Sequence, residues 1–390
     1  MTQILILHAS LGSGHISAAQ ALQEALTHFP EVQVQVEDAL AHASPVLRET
    51  LTRLYKQLSE RAPHLYRMLY EGMDTADLEA SLEENLRLAK LERPFFQRLE
   101  QLITEQPFDA VVCVQQIPSR ILQLLQQEEN LIQPHYVVIT DVIAHSTWIN
   151  SGVNRYFVPS QLTADVLSQK GVDASLLSVT GIPVALEIGE PKSQAAVRRK
   201  HHLPLQAPVI TLFGGGLHPK RVHLMVSKLL EHQSTGMLVV ATGRNQELME
   251  SLAELAPGPS MQYRLLGMID YVDDLVAASD LVISKAGGLI VSEVTARGTP
   301  LIIIDPFPGQ EEWNADAVAT AGAGIQLRLP EMVPPAVLWL LDHPEQLTFM
   351  RHQARQFGKP QAALEIARQI LSDLEQASPD QDVPFPVKVG

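Results

Sequence analysis

Residues 283–315, ISKAGGLIVSEVTARGTPLIIIDPFPGQEEWNA, limit what this chain can fold into more than any other stretch. Ser284, Lys285, Ala286, Gly287 and Gly288 lie between the apolar run DLVIS and an amphipathic segment. That pattern predicts a buried strand turning through glycines into a helix. Such a turn leaves backbone N–H groups bare and carries about half a positive charge at the helix start, so anions bind there. Ser292 and Glu293 follow on the helix, Arg297 and Gly298 close it, and PLIIID supplies the next buried strand, which ends in Pro308, Gly309, Gln310, Glu311, Glu312 and Asn314. Two strand ends thus bring amine, amide and acid groups to one edge, where an open α/β sheet binds its ligand. The set suits a phosphorylated, hydroxyl-rich molecule such as a sugar nucleotide. The plain alternative is a strand, a capping glycine and a helix with no ligand.

The same unit opens the chain. ILILHA turns through Leu11, Gly12, Ser13, Gly14 and His15 into ISAAQALQEALTHF, whose apolar residues fall at helical spacing. Ser17 stands at the third glycine position of a dinucleotide fingerprint, which argues against a hydride-transfer cofactor. His15 falls in the first helical turn, where the positive end favours a neutral imidazole able to accept a proton; a capping or surface histidine is the alternative. VQVQVED, DAVVCV, HYVVITD, RYFVPS and LLSVTGIPV read as further strands, and Thr140, Asp141, His145, Thr147 and Trp148 follow the third of these. A second half restarts with PVITLFGGGLHPKRV, in which Gly214, Gly215 and Gly216 form the turn, and continues through MLVVATGRN, YRLLGMI, DLVISKAGG and PLIIIDPF. Two doubly wound α/β domains facing one another are therefore predicted, 1–186 and 187–376, with the linker after Gly181, Ile182 and Pro183 and a frayed tail at 377–390. A chain of 390 residues exceeds what one core supports, which agrees with this division.

Residues 44–106 break the strand rhythm and predict an inserted helical segment. Leu47, Leu51, Leu54, Leu58, Leu65, Tyr66, Met68, Leu69 and Tyr70 alternate there with Arg48, Arg53, Lys56, Arg61 and Arg67, opposed only by Glu49 and Glu60 between Ser44 and Tyr70. A basic amphipathic segment with Leu and Tyr suits a membrane interface; a hairpin packing on its own domain is the alternative. The net charge of −15 makes this local basicity stand out, argues against nucleic acid as a partner, and repels anionic membranes elsewhere on the surface. No apolar run reaches the ~20 residues of a membrane span. MTQILILHA lacks a basic n-region and enters a strand directly, so a cytoplasmic location is expected. Cys113 lies in an apolar run and reads as a buried structural thiol. The Asp380-Gln381-Asp382 run imitates a metal-holding acidic pair but has no packed surroundings, so no metal is expected.

Taken together, GSGHISAAQAL and ISKAGGLIVSEV…PGQEEWNA resemble the glycolipid-forming branch of the GT-B glycosyltransferases, and the resemblance extends over nearly the whole chain. That branch includes diacylglycerol glucosyltransferases and monogalactosyldiacylglycerol synthases, with the peptidoglycan N-acetylglucosaminyltransferase more distant. The resemblance implies a C-terminal domain that holds a UDP-hexose, an N-terminal domain that holds a lipid acceptor at the inner membrane face, and inversion at the anomeric carbon without a metal or other cofactor. It implies that Glu293 binds the ribose hydroxyls, that Gln310 and Glu311, with Asn314 nearby, read the sugar, and that the uracil meets the backbone at Met268 and Ile269. Gly214, Gly215, Gly216 and the turn from Ser284 to Gly288 would cradle the diphosphate. His15 and Asp141 are the implied catalytic pair, either of them the base; Gly12, Ser13, Gly14, Trp148, Tyr66 and Tyr70 are the candidates for the acceptor side. Ser13 replaces a family glycine, and KAGGLI lacks the PGT of the galactolipid enzymes, which puts Ile290 where they have a hydroxyl. Both differences favour the bacterial diacylglycerol type. A UDP-sugar 2-epimerase, a catalytically silent UDP-sugar binder, and a polyprenyl-linked peptidoglycan precursor as acceptor are the alternatives.

Overall fold

The computed structural model describes residues 1–45, 47–50, 53, 63–128 and 131–376. Leu51, Leu54, Lys56, Leu58, Glu60 and Arg61 of the basic segment lie outside the described residues, as does the tail 377–390.

Among the described residues twelve strands form two six-stranded sheets. The first holds β1 (Thr2–His8), β2 (Val32–Asp38), β3 (Ala110–Cys113), β4 (His135–Val138), β5 (Val153–Val158) and β6 (Leu177–Val179) in the order β2-β1-β3-β4-β5-β6. The second holds β7 (Val209–Phe213), β8 (Gly236–Ala241), β9 (Met261–Leu266), β10 (Leu281–Ser284), β11 (Leu301–Ile304) and β12 (Gly324–Leu327) in the order β12-β11-β10-β7-β8-β9. Every pairing is parallel. Parallel strands need helices on both faces, which is why they read as unbroken apolar runs. In β1, Ile4 and Ile6 enter one core cluster and Leu5 and Leu7 another on the opposite face. In β10 and β11, Ile283, Ile302 and Ile304 face one way and Val282, Leu301 and Ile303 the other.

Strand order reverses between β1 and β3 in the first sheet and between β7 and β10 in the second. At such a point the two neighbouring connections run off to opposite faces and leave a crevice at the strand C-termini. The Gly-rich turns after β1, β7 and β10 all begin there.

β12 has no counterpart among the predicted strands: Gly324, Ile325, Gln326 and Leu327 are too few and too mixed to show a period, and they form an edge. The division at 187–376 also needs correction, because the closing helix Ala362–Gln376 packs on the first sheet. Ala363, Ile366, Ala367 and Ile370 are buried with Ile4, Leu22 and Tyr136, each isoleucine contributing about 1.5–3 kcal/mol. Arg155 of β5 donates to Asp373 through Nε at 2.7 Å and Nη2 at 2.8 Å. The chain therefore crosses between the domains twice.

Within the insertion, helices Pro63–Gly72, Leu78–Glu92 and Gln97–Glu105 are described. Asp77 caps the second, accepting from Ala80 N at 2.9 Å, and that helix packs on its own domain. Its buried Asn85 donates to the carbonyls of Ser146 at 3.0 Å and Ile149 at 2.6 Å. The segment thereby braces the turn that carries Trp148.

Candidate active site

The crevice is built where the two domains touch. A Cβ on Gly288 would lie 2.1 Å from the Thr140 carbonyl oxygen, so only glycine lets the turn after β10 press against the end of β4. Gly14 faces Leu289 across the same contact, with its Cβ position 3.7 Å from the leucine Cβ. Helix Ser13–Thr27 begins at the first-domain turn and places His15 in its first turn.

His15 Nδ1 lies 3.0 Å from the Val114 carbonyl oxygen and 2.9 Å from Thr140 Oγ1. A carbonyl only accepts, so Nδ1 carries the proton and Nε2 keeps its lone pair. Burial lowers the His15 pKa to about 4, with His8 adding to the shift and the Val114 bond opposing it. The ring is therefore neutral near pH 7. Asp141, the residue after Thr140, moves the other way: burial raises it to about 6, the Trp148 indole opposes by donating from Nε1 at 3.1 Å, and the Glu311 carboxylate pushes it further up.

On the second-domain side, Lys285 Nζ lies 3.3 Å from Glu311 Oε2 and 5.6 Å from the Phe307 ring centre. Glu311 Oε2 also accepts from Phe307 N at 2.7 Å, which holds the turn closed on itself. The Cβ position of Gly216 is 3.1 Å from Lys285 Cδ, so the turns after β7 and β10 meet at the lysine stem. Gly215 and Gly216 are exposed while Gly214 is buried against Leu248. Ser284 and Ala286 are buried, which leaves only their backbone for a ligand, whereas Lys285, Gly287 and Gly288 stay partly open. Met268 is exposed beside Ile269, and a cavity of about 400 Å³ opens next to them, lined by Glu187, Asp270, Tyr271, Asp273 and Asp274 among others. Glu293 is raised to about 7 by burial and then by the Asp273 and Glu187 charges.

A family model for monogalactosyldiacylglycerol (MGDG) synthase matches residues 15–184, and a glycosyltransferase family 28 C-terminal domain matches residues 209–366. The two models together span most of the chain, which is a UDP-sugar-dependent glycosyltransferase similar to those that form glycolipids. Two relatives of this transferase are named processive diacylglycerol beta-glucosyltransferase. The one from Bacillus pumilus (strain SAFR-032) is 27% identical over 95% of this chain and 96% of its own. The one from Bacillus subtilis (strain 168) is 25% identical over 97% of each. Among solved structures, Acinetobacter baumannii MurG aligns with a TM-score of 0.61 at 19% identity, covering 95% of this chain and all of its own. A UDP-GlcNAc 2-epimerase from Neisseria meningitidis bound to UDP-GlcNAc aligns at 0.59 and 13%, covering 95% and 100%. At such identity these two establish the shared fold alone.

Four residues of this transferase lie elsewhere than the sequence reading put them. Trp148 is fully buried, so it props Asp141 from behind and cannot touch an acceptor. Asn314 is fully buried too: it donates to the Ala286 carbonyl at 2.9 Å and accepts from Val142 N of the other domain at 2.7 Å, which makes it a brace between domains and not a sugar contact. Tyr66 and Tyr70 pack on the turn after β11, on the second-domain side of the crevice. Tyr66 donates to Gln310 Oε1 at 3.0 Å, and the Tyr70 ring lies 5.3 Å from that of Trp313 and 4.4 Å from that of His145. Gly12 and Ser13 are exposed at the mouth. Arg67, read as part of the basic patch, pairs with Glu312. Thr140 was legible as a strand-end hydroxyl, but its link to His15 depends on residues 125 positions apart. Phe307 carried no signal of its own, and nothing in the sequence joined Arg67 of the basic patch to Glu312 of the strand end.

Proposed function

We propose that the chain moves a hexose from a UDP-hexose to diacylglycerol at a membrane surface, with inversion. The observation that carries this reading is the meeting of the Gly288 turn with Thr140, which sets a candidate diphosphate cradle opposite His15 and Asp141. The names of the two relatives supply the acceptor class. Asp141 is the base. Its pKa of about 6 leaves it ionised at neutral pH yet more basic than His15, and proton transfer is most effective when the two requirements balance. The acceptor hydroxyl gives its proton to Asp141 while its oxygen bonds the anomeric carbon, and the bond from that carbon to the diphosphate oxygen breaks to release UDP. His15 Nε2, which keeps its lone pair, is the alternative acceptor of that one proton. Lys285 and the backbone N–H groups of the Gly turns take the charge that develops on the diphosphate, about 3 kcal/mol for each well-aimed donor. Glu293 binds the ribose, Met268 and Ile269 meet the uracil, and Gln310 and Glu311 read the hexose.

This arrangement assigns the phosphate charge to helix N-termini and a lysine, so turnover persists in excess EDTA after dialysis. Complete loss restored by magnesium would contradict it. Among the described residues no helix is long and apolar enough to cross a membrane. Peripheral attachment to the inner face runs through helix Pro63–Gly72, whose Leu65, Met68 and Leu69 are exposed, as are Met73 and, earlier in the chain, Arg48 and Arg53. Each basic residue near an anionic surface adds about 1 kcal/mol and buried apolar side chains add to it. Replacing Leu65, Met68 and Leu69 with serine lowers sedimentation with anionic vesicles and turnover on vesicular acceptor together, while turnover on detergent-dispersed acceptor continues. Unchanged vesicle binding would reduce the segment to a hairpin that packs only on the protein.

A further inference from the structure

We propose that Tyr66, which reaches across from the first domain, is a positioning residue that orients the Gln310 amide and so sets the discrimination between hexose epimers. The proposal rests on the reading of Gln310 and Glu311 as the residues that meet the donor sugar. The Tyr66 hydroxyl donates to Gln310 Oε1 at 3.0 Å. A phenol spreads its lone pair into the ring and is a better donor than acceptor, so it selects the amide oxygen and turns Nε2, with its two N–H donors, the other way. Nε2 makes no hydrogen bond to the described residues. Glu311, next in the chain, offers only acceptors, and one of its oxygens is already committed to Phe307 N and Lys285. A sugar hydroxyl at this turn therefore meets a donor from residue 310 and an acceptor from residue 311 in a fixed order. An epimer carries that hydroxyl on the other side of the ring and leaves one of these polar groups unpaired, which is where discrimination between near-identical substrates is largest.

The surroundings hold the phenol in place. The Tyr66 ring sits edge-on to Phe307, 4.7 Å between centres at 61°, and lies nearly parallel to Tyr70 at 6.0 Å. Tyr70 in turn covers Gly309, whose φ of +87° and whose Cβ position 2.8 Å from the ring admit no side chain. Arg67 pairs with Glu312, and Glu312 accepts from Gly309 N at 3.1 Å. Three neighbours on one helix thus grip the Pro308-Gly309-Gln310 turn. Without the phenol O–H the amide turns over and presents oxygen or NH₂ alike.

Tyr66→Phe keeps the ring and removes only the donor. The ratio of kcat/KM for UDP-glucose to that for UDP-galactose is expected to move about tenfold or more towards unity, while affinity for UDP, which has no hexose, is unchanged. A purely structural Tyr66 would leave that ratio where it is in the native protein, and this result overturns the proposal. Gln310→Ala separates the two claims. If it collapses the ratio and Tyr66→Phe does not, the positioning role falls and the sugar-reading assignment stands; if neither moves the ratio, both fall.

Discussion

Asp141→Asn lowers kcat by about 10²–10⁴-fold and leaves UDP affinity unchanged, because the asparagine keeps its place beside Trp148 but cannot take a proton. In the native protein kcat at saturating UDP-hexose holds above pH 6 and falls as the pH drops through about 6, the value to which burial and Glu311 raise this carboxyl. An inflection near 4 would transfer the role to His15, which burial lowers to about 4. The variant is also expected to melt at a higher temperature near pH 7. The folded chain holds the Asp141 proton more tightly than the unfolded one, so stability is fully present below the unfolded value and is lost as the pH rises through about 6. A neutral asparagine does not suffer that loss. Lost activity with a raised melting temperature cannot be put down to misfolding.

Glu293→Ala weakens UDP by about 1–3 kcal/mol, the usual effect of removing a charged hydrogen-bond partner. The apo carboxyl is raised to about 7, so it is part-protonated at neutral pH. Ribose hydroxyls donating to it favour the ionised form and pull its pKa down. Uridine binding therefore releases protons near pH 7, and affinity rises between pH 6 and 8. Calorimetry with uridine in buffers of different ionisation heat reads this directly and avoids the titration of the diphosphate. Equal heats in all buffers, with unchanged affinity in the alanine variant, would remove Glu293 from the ribose.

The strands and turns were legible because parallel strands buried on both faces must be apolar throughout, and a chain turning sharply towards an anion needs glycine. Gly288 illustrates the limit of that legibility. Its place after β10 could be read directly, but its reason, a Thr140 carbonyl 2.1 Å from where a Cβ would sit, belongs to a contact between domains. Helix Ala362–Gln376 shows an amphipathic stripe, yet nothing in the stripe says that it is covered by Ile4 and Tyr136 rather than by the sheet that precedes it. Trp148 and Asn314 were assigned to ligands because they follow strand ends. Full burial shows that they hold Asp141 and the domain contact instead. Tyr66 and Tyr70 were read by composition as lipid-side aromatics, whereas helix Pro63–Gly72 divides its faces: Tyr66, Arg67 and Tyr70 grip the turn after β11 while Leu65, Met68 and Leu69 remain exposed.

The most direct measurement is the product itself. Purified protein is incubated with UDP-glucose, and separately with UDP-galactose, in the presence and absence of vesicles containing diacylglycerol, and the lipid and nucleotide fractions are examined by NMR. The account predicts a hexosyl-diacylglycerol with a β anomeric linkage, formed together with UDP and only when the lipid is present. A sugar nucleotide converted to its 2-epimer without lipid, or a lipid product with the α linkage of the donor retained, would contradict it.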